Sequence, residues 1–273
     1  MDSLCIFLRN KFAVLNQSPY LCVKITQRSI MIYNKQTKKW ESPYWHPAVT
    51  TDSVVFGFDG EKLNLLLIQR AGDPYRGMWA LPGGFMRPED KTAEEAAYRE
   101  LHEETNVEGI YMEELQTFSD INRDSRERVI TIAFFALVVK DKYKIKGGDD
   151  ASMARWFPVD ELPKLAFDHK LIIETALGRL RQRIHFEPIG FHLLDKEFTM
   201  PQLQNIYIAI LNPDEDDNKL RDRRNFPKKM LKLGYIKETG KRITGYPYRS
   251  PKLYTFDEEA YANAKKLGMR LEF

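Results

Sequence analysis

The segment Gly83 to Val107, GGFMRPEDKTAEEAAYRELHEETNV, constrains this chain more than any other stretch. Thr92 followed three residues later by Glu95 predicts a capped helix beginning at Ala93, and Asn106 tolerates the left-handed conformation that ends one. On that helix Glu100, Glu103 and Glu104 stand at i, i+3 and i+4, so three carboxylates share one face. Like charges at this spacing cost roughly 0.2–0.5 kcal/mol per pair. The face is therefore either fully solvated or covered by a cation, and carboxylate oxygens are the donors that Mg²⁺ or Mn²⁺ prefers.

The run Arg99-Glu100-Leu101-His102-Glu103-Glu104, preceded by Leu81-Pro82-Gly83-Gly84, resembles the Nudix box, whose core is Arg-Glu-apolar-any-Glu-Glu. In that family a loop-helix-loop holds metal against the diphosphate of a nucleoside diphosphate linked to another group. The resemblance implies Glu100, Glu103 and Glu104 as metal ligands for Mg²⁺ or Mn²⁺, with Arg99 pairing with and orienting the acids. Glu103, Glu104 and Arg99 are then the catalytic candidates. Two positions depart from the family pattern. Lys91 stands where the box has a glutamate eight residues before the arginine, and Asn106 where it has a glycine seven after. The loop is also one residue longer, so that counting forward from Gly84 puts Asp90 at the acidic position. Lys91, or the shifted loop, weighs against efficient hydrolysis.

Around the box the pattern is that of strands and one further helix. Val49 to Phe58 and Leu63 to Arg70 read as a hairpin turned by Asp59-Gly60-Glu61-Lys62. Gly109 to Phe118 and Val129 to Val139 read as two more strands, the second apolar on both faces and therefore central. Trp156-Phe157-Pro158-Val159 is a short strand. Phe167-Asp168-His169 starts a helix running to about Arg183, with Leu171, Ile172, Thr175, Ala176 and Leu180 as its apolar stripe. The expected fold class is α/β, of the α+β Nudix kind, with a mixed sheet flanked by helices. His169 reads as a capping or structural histidine. The loop 119–128 holds three arginines and three acids, and is either a solvated salt-bridge hairpin or a ligand loop in which Arg123, Arg126 and Arg128 meet phosphate. Gly83, Gly84 and Arg70 complete the candidates for ligand contacts.

Charge is distributed unevenly. Between Lys219 and Lys252 there are twelve Lys and Arg against two acids, a net +10, which leaves −7 for the rest of a chain whose total is +3. Such a basic end suits a polyanion, nucleic acid first. Glu187-Pro188-Ile189-Gly190 marks the best boundary before it. Beyond lie a helix capped by Thr199, with Leu203, Ile206, Tyr207 and Ile210 on its apolar face, and the acidic loop 214–217. A basic helix follows, with Phe226, Met230 and Leu233 on its apolar side, and Gly234 stops it. Pro227 places its start at Phe226 with Asn225 as cap. Tyr235 to Glu238 and Leu253 to Phe256 form a returning pair, with Lys241 and Arg242 in the turn. This order describes a C-terminal winged helix-turn-helix whose basic helix enters the major groove of double-stranded DNA. The residues facing DNA would be Arg223, Arg224, Asn225, Lys228, Lys229, Lys232, Lys241 and Arg242.

The domain ranges expected are 46–185 for the Nudix-like part and 190–273 for the winged helix. The two together resemble the Nudix-related transcriptional regulators of bacteria, of the NrtR and AraR types. The likeness runs over roughly residues 47–258 and is carried by LPGGFMRPED with REL-EET, INRDSRERVITIAFFAL, AFDH, and FTMPQLQNIY with DRRNFPKKML. It implies a homodimer in which the Nudix domain senses ADP-ribose or a related nucleotide or sugar metabolite. The alternative from the same residues is a Mg²⁺-dependent Nudix pyrophosphohydrolase acting on ADP-ribose or a similar nucleoside diphosphate derivative. Residues 1–45 show no sustained period of helix or strand, and are either an N-terminal arm or precede a start at Met31. Cys5 and Cys22 imply no disulfide framework or zinc site. No apolar run approaches the roughly 18 residues of a membrane span, so the expected partners include no membrane and the expected location is cytoplasmic.

Overall fold

The computed structural model describes residues 20–26, 29–34, 39–42, 44–146, 151–213, 218–244 and 250–266 of the 273. The chain divides into two compact units, residues 1–47 and 48–273. The first contains β1 (Tyr20–Thr26), β2 (Ser29–Asn34) and β3 (Lys39–Glu41), an antiparallel sheet in the order β1-β2-β3. A region read as lacking any period is thus strand-forming. Strands of 7, 6 and 3 residues interleaved with polar positions offer too few alternations for a period to emerge from sequence.

The second unit begins with β4 (Ala48–Phe58) and β5 (Leu63–Arg70), the expected hairpin. Then come β6 (Trp79–Ala80), β7 (Gly83–Phe85), α1 (Ala93–Thr105), β8 (Glu113–Phe118), β9 (Val129–Val139), β10 (Ala151–Pro158) and α2 (His169–Arg183). The sheet runs β10-β5-β4-β9-β8, with β6 beside β5 and β7 beside β4. β4 and β9 pair in parallel along their whole lengths, and the other pairs are antiparallel, which makes the sheet mixed. Successive side chains of β4 serve opposite faces, as the pleat requires. Val55 joins Leu101, Phe134 and Val138 beneath α1. Val54 and Phe56 join Phe135, Ile172, Ala176 and Leu180 beneath α2.

Three elements differ from expectation. β8 starts at Glu113 and not at Gly109, whose φ of +69° holds a bend while Ile110 and Met112 plug the α1 side. β10 starts at Ala151, well before Trp156, because pairing with β5 supplies backbone bonds whatever the side-chain pattern. In α2 Leu171 is 54% exposed, and the buried stripe is His169, Ile172, Ile173, Ala176 and Leu180. Burying His169 at the first position sets the helix's rotation, and the i+3, i+4, i+7 and i+11 neighbours follow it inward.

The winged helix comprises α3 (Met200–Leu211), α4 (Asn218–Arg221), α5 (Asn225–Lys232), β11 (Ile236–Arg242), β12 (Lys252–Phe256) and α6 (Glu258–Lys266). Thr199 and Gln202 form a reciprocal capping box at the start of α3. Gly234 follows α5 at φ +81°, as a helix stop does. α5 begins at Asn225, one residue before the expected start, and Asn225 is not its cap. The Asp222 carboxylate accepts the N–H groups of Arg224 (2.7 Å) and Asn225 (3.1 Å), an anion at the positive end of the helix. Pro227 still sits within the first turn, where its missing N–H costs nothing. α6 was not anticipated; Asp257 caps it through the Ala260 N–H at 2.9 Å.

The Nudix-type sheet and the winged helix share a core. Leu180 and Ile184 pack in one cluster with Leu203, Ile206, Tyr207, Ile210, Phe226 and Met230. Arg181 Nε donates to the Ile210 carbonyl at 3.0 Å, and Asn205 Nδ2 to the Gly60 carbonyl at 3.3 Å. Even the Pro-Gly boundary is packed, for a Cβ on Gly190 would lie 2.9 Å from Ile206 Cγ2. Among the described residues no helix is long and apolar enough to cross a membrane. Leu203, fully buried in this cluster, is a sensitive probe of the shared core. Leu203→Ala is expected to cost about 2–5 kcal/mol. In denaturant titrations, tryptophan fluorescence from the sheet and far-UV circular dichroism should shift together, as one transition.

Candidate functional site

The glycine turn forms the site because nothing larger fits it. β7 crosses so close to β4 that a Cβ on Gly83 would lie 2.1 Å from the Thr51 carbonyl oxygen. A Cβ on Gly84 would lie 2.7 Å from the Glu100 carboxyl carbon. The backbone is thereby laid directly on the acidic face of α1. Above it opens a cavity of about 600 Å³. Glu100, Glu103 and Glu104 line it together with Gly83, Gly84, Arg70, Arg123 and Arg126, so eight of the residues singled out from sequence converge there. Arg99 and Arg128 do not line it.

Arg99 lies behind the acids and holds them. Its Nη1 donates to Glu100 at 2.6 Å and more weakly to Glu103 at 3.4 Å. Its Nε and Nη2 clamp the Asp90 carboxylate at 2.9 and 2.7 Å. Asp90 therefore fills the acidic position of the box through the longer loop. The Arg99 guanidinium holds its carboxyl down to about 2. Lys91 is exposed and gives only its N–H, to Glu95 at 2.8 Å. Arg99 thus stands behind the acids in the orienting position that the resemblance implied, outside the lining of the cavity.

Each of the three glutamates has its own partner. Glu103 receives a fork from Arg87, Nη1 to Oε1 at 2.9 Å and Nη2 to Oε2 at 2.7 Å. Glu104 is buried and accepts the Gly83 N–H at 2.8 Å. Burial pushes its carboxyl up to about 8, with Glu100 and Asp52 adding to the rise and the Gly83 N–H opposing it. These are the right donors for a hard divalent ion, and Nudix domains as a family generally use one. Yet among the described residues no three His, Cys, Asp or Glu side chains are arranged to hold a metal. The expected set Glu100, Glu103 and Glu104 is not brought together as a cage, because a guanidinium stands on Glu103 and an amide on Glu104. As built, the residues do not fit the ion.

The opposite wall is a buried charge network. His169 accepts the Leu81 N–H on Nδ1 at 2.8 Å, and its Nε2 lies 3.5 Å from Asp52 Oδ1. Burial pulls its pKa down, which keeps the ring neutral and suits an accepting Nδ1. Arg123 is buried against Asp168, with bonds of 3.1 and 2.9 Å, and reaches Asp52 at 3.5 Å. It braces the wall more than it offers itself to solvent. Arg126 is held by Asp124 and lies over the rings of Phe85 and Phe167, 5.4 and 5.7 Å from their centroids. Arg70 lies 4.9 Å from the Phe167 centroid. Two guanidinium groups against exposed Phe85 and half-buried Phe167 make a shelf suited to a planar, anionic ligand. Arg128 only lends its carbonyl to the Ala48 N–H at 2.9 Å. Asp52, Arg87, Phe167 and Asp168 were not among the site residues expected from sequence. The polar run Thr50-Thr51-Asp52-Ser53 inside a buried central strand was the available signal.

On the winged helix, Arg223, Arg224, Asn225, Lys228, Lys229 and Lys232 are all exposed, while Phe226 and Met230 are buried beneath them. The Asn225 amide is tied back to Asp222 at 2.6 Å. Lys241 and Arg242, expected in the turn, instead end β11, which continues past Glu238 because Arg242 pairs with Lys252; Lys241 binds Glu197 at 2.9 Å, and Arg242 donates to the Ser250 carbonyl at 2.7 Å. The expected helix face is thus presented to solvent as one surface.

Glu104 yields a pH prediction. The folded carboxyl keeps its proton to about 8, whereas an unfolded one releases it near 4.5. Its contribution to stability is complete below the unfolded value and is lost as pH rises toward the folded one. Glu104→Gln keeps an acceptor for Gly83 and cannot ionise. The variant should therefore melt higher than the parent above pH 8, and level with it below pH 4.5. Thermal unfolding across that range checks it.

Comparison with known proteins agrees with both halves. Residues 46–176 match the NUDIX domain family, and residues 190–256 the NrtR DNA-binding winged helix domain. The ADPR responsive transcriptional repressor NtrR of Acinetobacter baylyi is 31% identical over 225 residues, covering 81% of this chain and 86% of that protein. The ADP-ribose pyrophosphatase of Methanocaldococcus jannaschii is 41% identical over 178 residues, 65% of this chain and 97% of the enzyme. The crystal structure of Shewanella oneidensis NrtR complexed with a 27mer DNA aligns at a TM-score of 0.58 with 29% identity, over 78% of this chain and 95% of that one. A Nudix-type cavity in the same compact unit as a basic winged helix, and relatives matched along most of both chains, place this protein in the NrtR-type family of Nudix-related, DNA-binding transcriptional regulators.

Proposed function

We propose that this chain is a repressor that binds double-stranded DNA as a homodimer in the cytoplasm and responds to ADP-ribose. The carrying observation is the union of two surfaces in one compact unit: the arginine and aromatic shelf over the glycine turn, and the exposed basic face of α5. The shelf suits an adenine or ribose ring, and the guanidinium groups suit its diphosphate. The 31% identity to an ADPR responsive repressor supports this choice of effector over a sugar. A two-fold pair of winged helices would match paired half-sites on DNA. The effector acts by binding the DNA-competent and incompetent arrangements unequally. Residues 46–185 and 190–273 would then be the sensing and DNA-binding parts.

Electrophoretic or fluorescence titration with DNA from the chain's own promoter region, at several salt concentrations, tests the reading. Binding should weaken steeply with salt, and Lys228→Ala should reduce the log–log slope by about 1 while leaving ADP-ribose affinity unchanged. ADP-ribose should lower the DNA affinity of the parent. Absence of salt-dependent DNA binding would exclude a regulator.

A second reading, a Mg²⁺-dependent ADP-ribose pyrophosphatase, draws on the 41% identity to such an enzyme and on the retained Arg99, Glu100, Glu103 and Glu104. Conversion of ADP-ribose to AMP by the parent with Mg²⁺, abolished in Glu103→Gln, would establish it.

A further inference from the structure

The extra residue in the loop after the glycine turn has a geometric result beyond placing Asp90. Asp90 Oδ2 accepts the Arg87 N–H at 2.7 Å, and the Asp90 N–H donates to the Arg87 carbonyl at 3.1 Å. Because Arg99 clamps the same Asp90 carboxylate, the Arg87 backbone is fixed to α1. The Arg87 side chain is thereby aimed at Glu103, where both of its terminal nitrogens land on both carboxylate oxygens, and it lines the cavity. A divalent ion at Glu103 would compete with this guanidinium for the same two carboxylate oxygens.

We propose that Arg87 takes the place of the divalent ion. Its guanidinium covers Glu103 with two of its five N–H donors and presents the others to a nucleoside diphosphate, so that the site binds its ligand without metal. The charge balance is consistent with this. A diphosphate approaching bare Glu100 and Glu103 would be repelled, whereas Arg99 and Arg87 answer those two carboxylates and Arg70 and Arg126 stand on the facing shelf. Arg87 is thus a specificity-determining residue: it selects for anionic ligands and against Mg²⁺ or Mn²⁺. The choice of ADP-ribose as probe rests on the effector reading above; the metal half does not.

The test uses the full chain freed of metal, with Mn²⁺ binding read by electron paramagnetic resonance and ADP-ribose binding by calorimetry, each with and without EDTA. The parent is expected to bind ADP-ribose with a Kd that EDTA changes by less than about threefold. Arg87→Gln should weaken ADP-ribose binding in EDTA by about tenfold or more, and tighten Mn²⁺ binding by at least about tenfold. Arg87→Lys, which keeps the charge but loses the fork, should fall between the two on both readouts. Because Arg87 is half-exposed, both variants should melt with the parent. If the parent binds Mn²⁺ as tightly as Arg87→Gln, or if EDTA abolishes its ADP-ribose binding, the inference is overturned. If the parent binds no ADP-ribose in either buffer, the effector reading fails instead, and the Mn²⁺ comparison alone decides whether Arg87 excludes the ion.

Discussion

The crowding of three carboxyl groups within one turn of α1, that of Glu104 kept protonated to about 8 by burial, shapes most of what surrounds them. Like charges at helical spacing cost roughly 0.2–0.5 kcal/mol per pair where solvent reaches them. A hydrogen bond to a charged group contributes roughly 1.5–3 kcal/mol. The protein supplies each acid with a main partner: Arg99 for Glu100, Arg87 for Glu103 and the Gly83 amide for Glu104. Each imposes something elsewhere. The amide requires a backbone pressed against both β4 and α1, hence two glycines. Arg99 requires Asp90, and Asp90 requires the longer loop.

The same compensation shapes the facing wall. Asp52 and Asp168 are a second pair of acids, and buried Arg123 answers both while neutral His169 fills the space between them. This part of the loop 119–128 is therefore structural, whereas Arg126 is turned onto aromatic rings at the cavity. A single sequence cluster of three arginines thus divides into a brace, a shelf and a bystander. Arg123 became the brace through partners 45 and 71 residues distant along the chain.

That distance is also why the sequence was legible in some places and not in others. The start of α1, the β4–β5 hairpin, the cap of α3 and the stop of α5 were readable because each is specified by neighbours within a few positions: Thr92 with Glu95, Asp59 to Lys62 between the strands, Thr199 with Gln202, Gly234 after α5. The wall opposite the box was legible only in part: Arg123 stood among the candidates for phosphate, but its role as a brace, like those of Asp52 and Asp168, emerges only when β4, a loop and the start of α2 meet. Arg87 lay within the best-read segment and was still missed. Its neighbours in sequence suggest a solvated loop, and only the geometry of Asp90 turns it back on Glu103. The rotation of α2 was misjudged for a similar reason, because a polar residue, His169, sets which face is buried.

α2 connects the two ends of this chemistry. His169, at its first position, is a wall of the cavity; Arg181, near its last, holds the carbonyl of Ile210 at the end of α3. Fifteen helical residues at about 1.5 Å each form a rod roughly 22 Å long. A rod of that length, pivoting at the cavity, carries its far end about 0.4 Å sideways for each degree of tilt. A tilt of about five degrees, begun where His169 meets the cavity, would displace the base of the winged helix by about 2 Å.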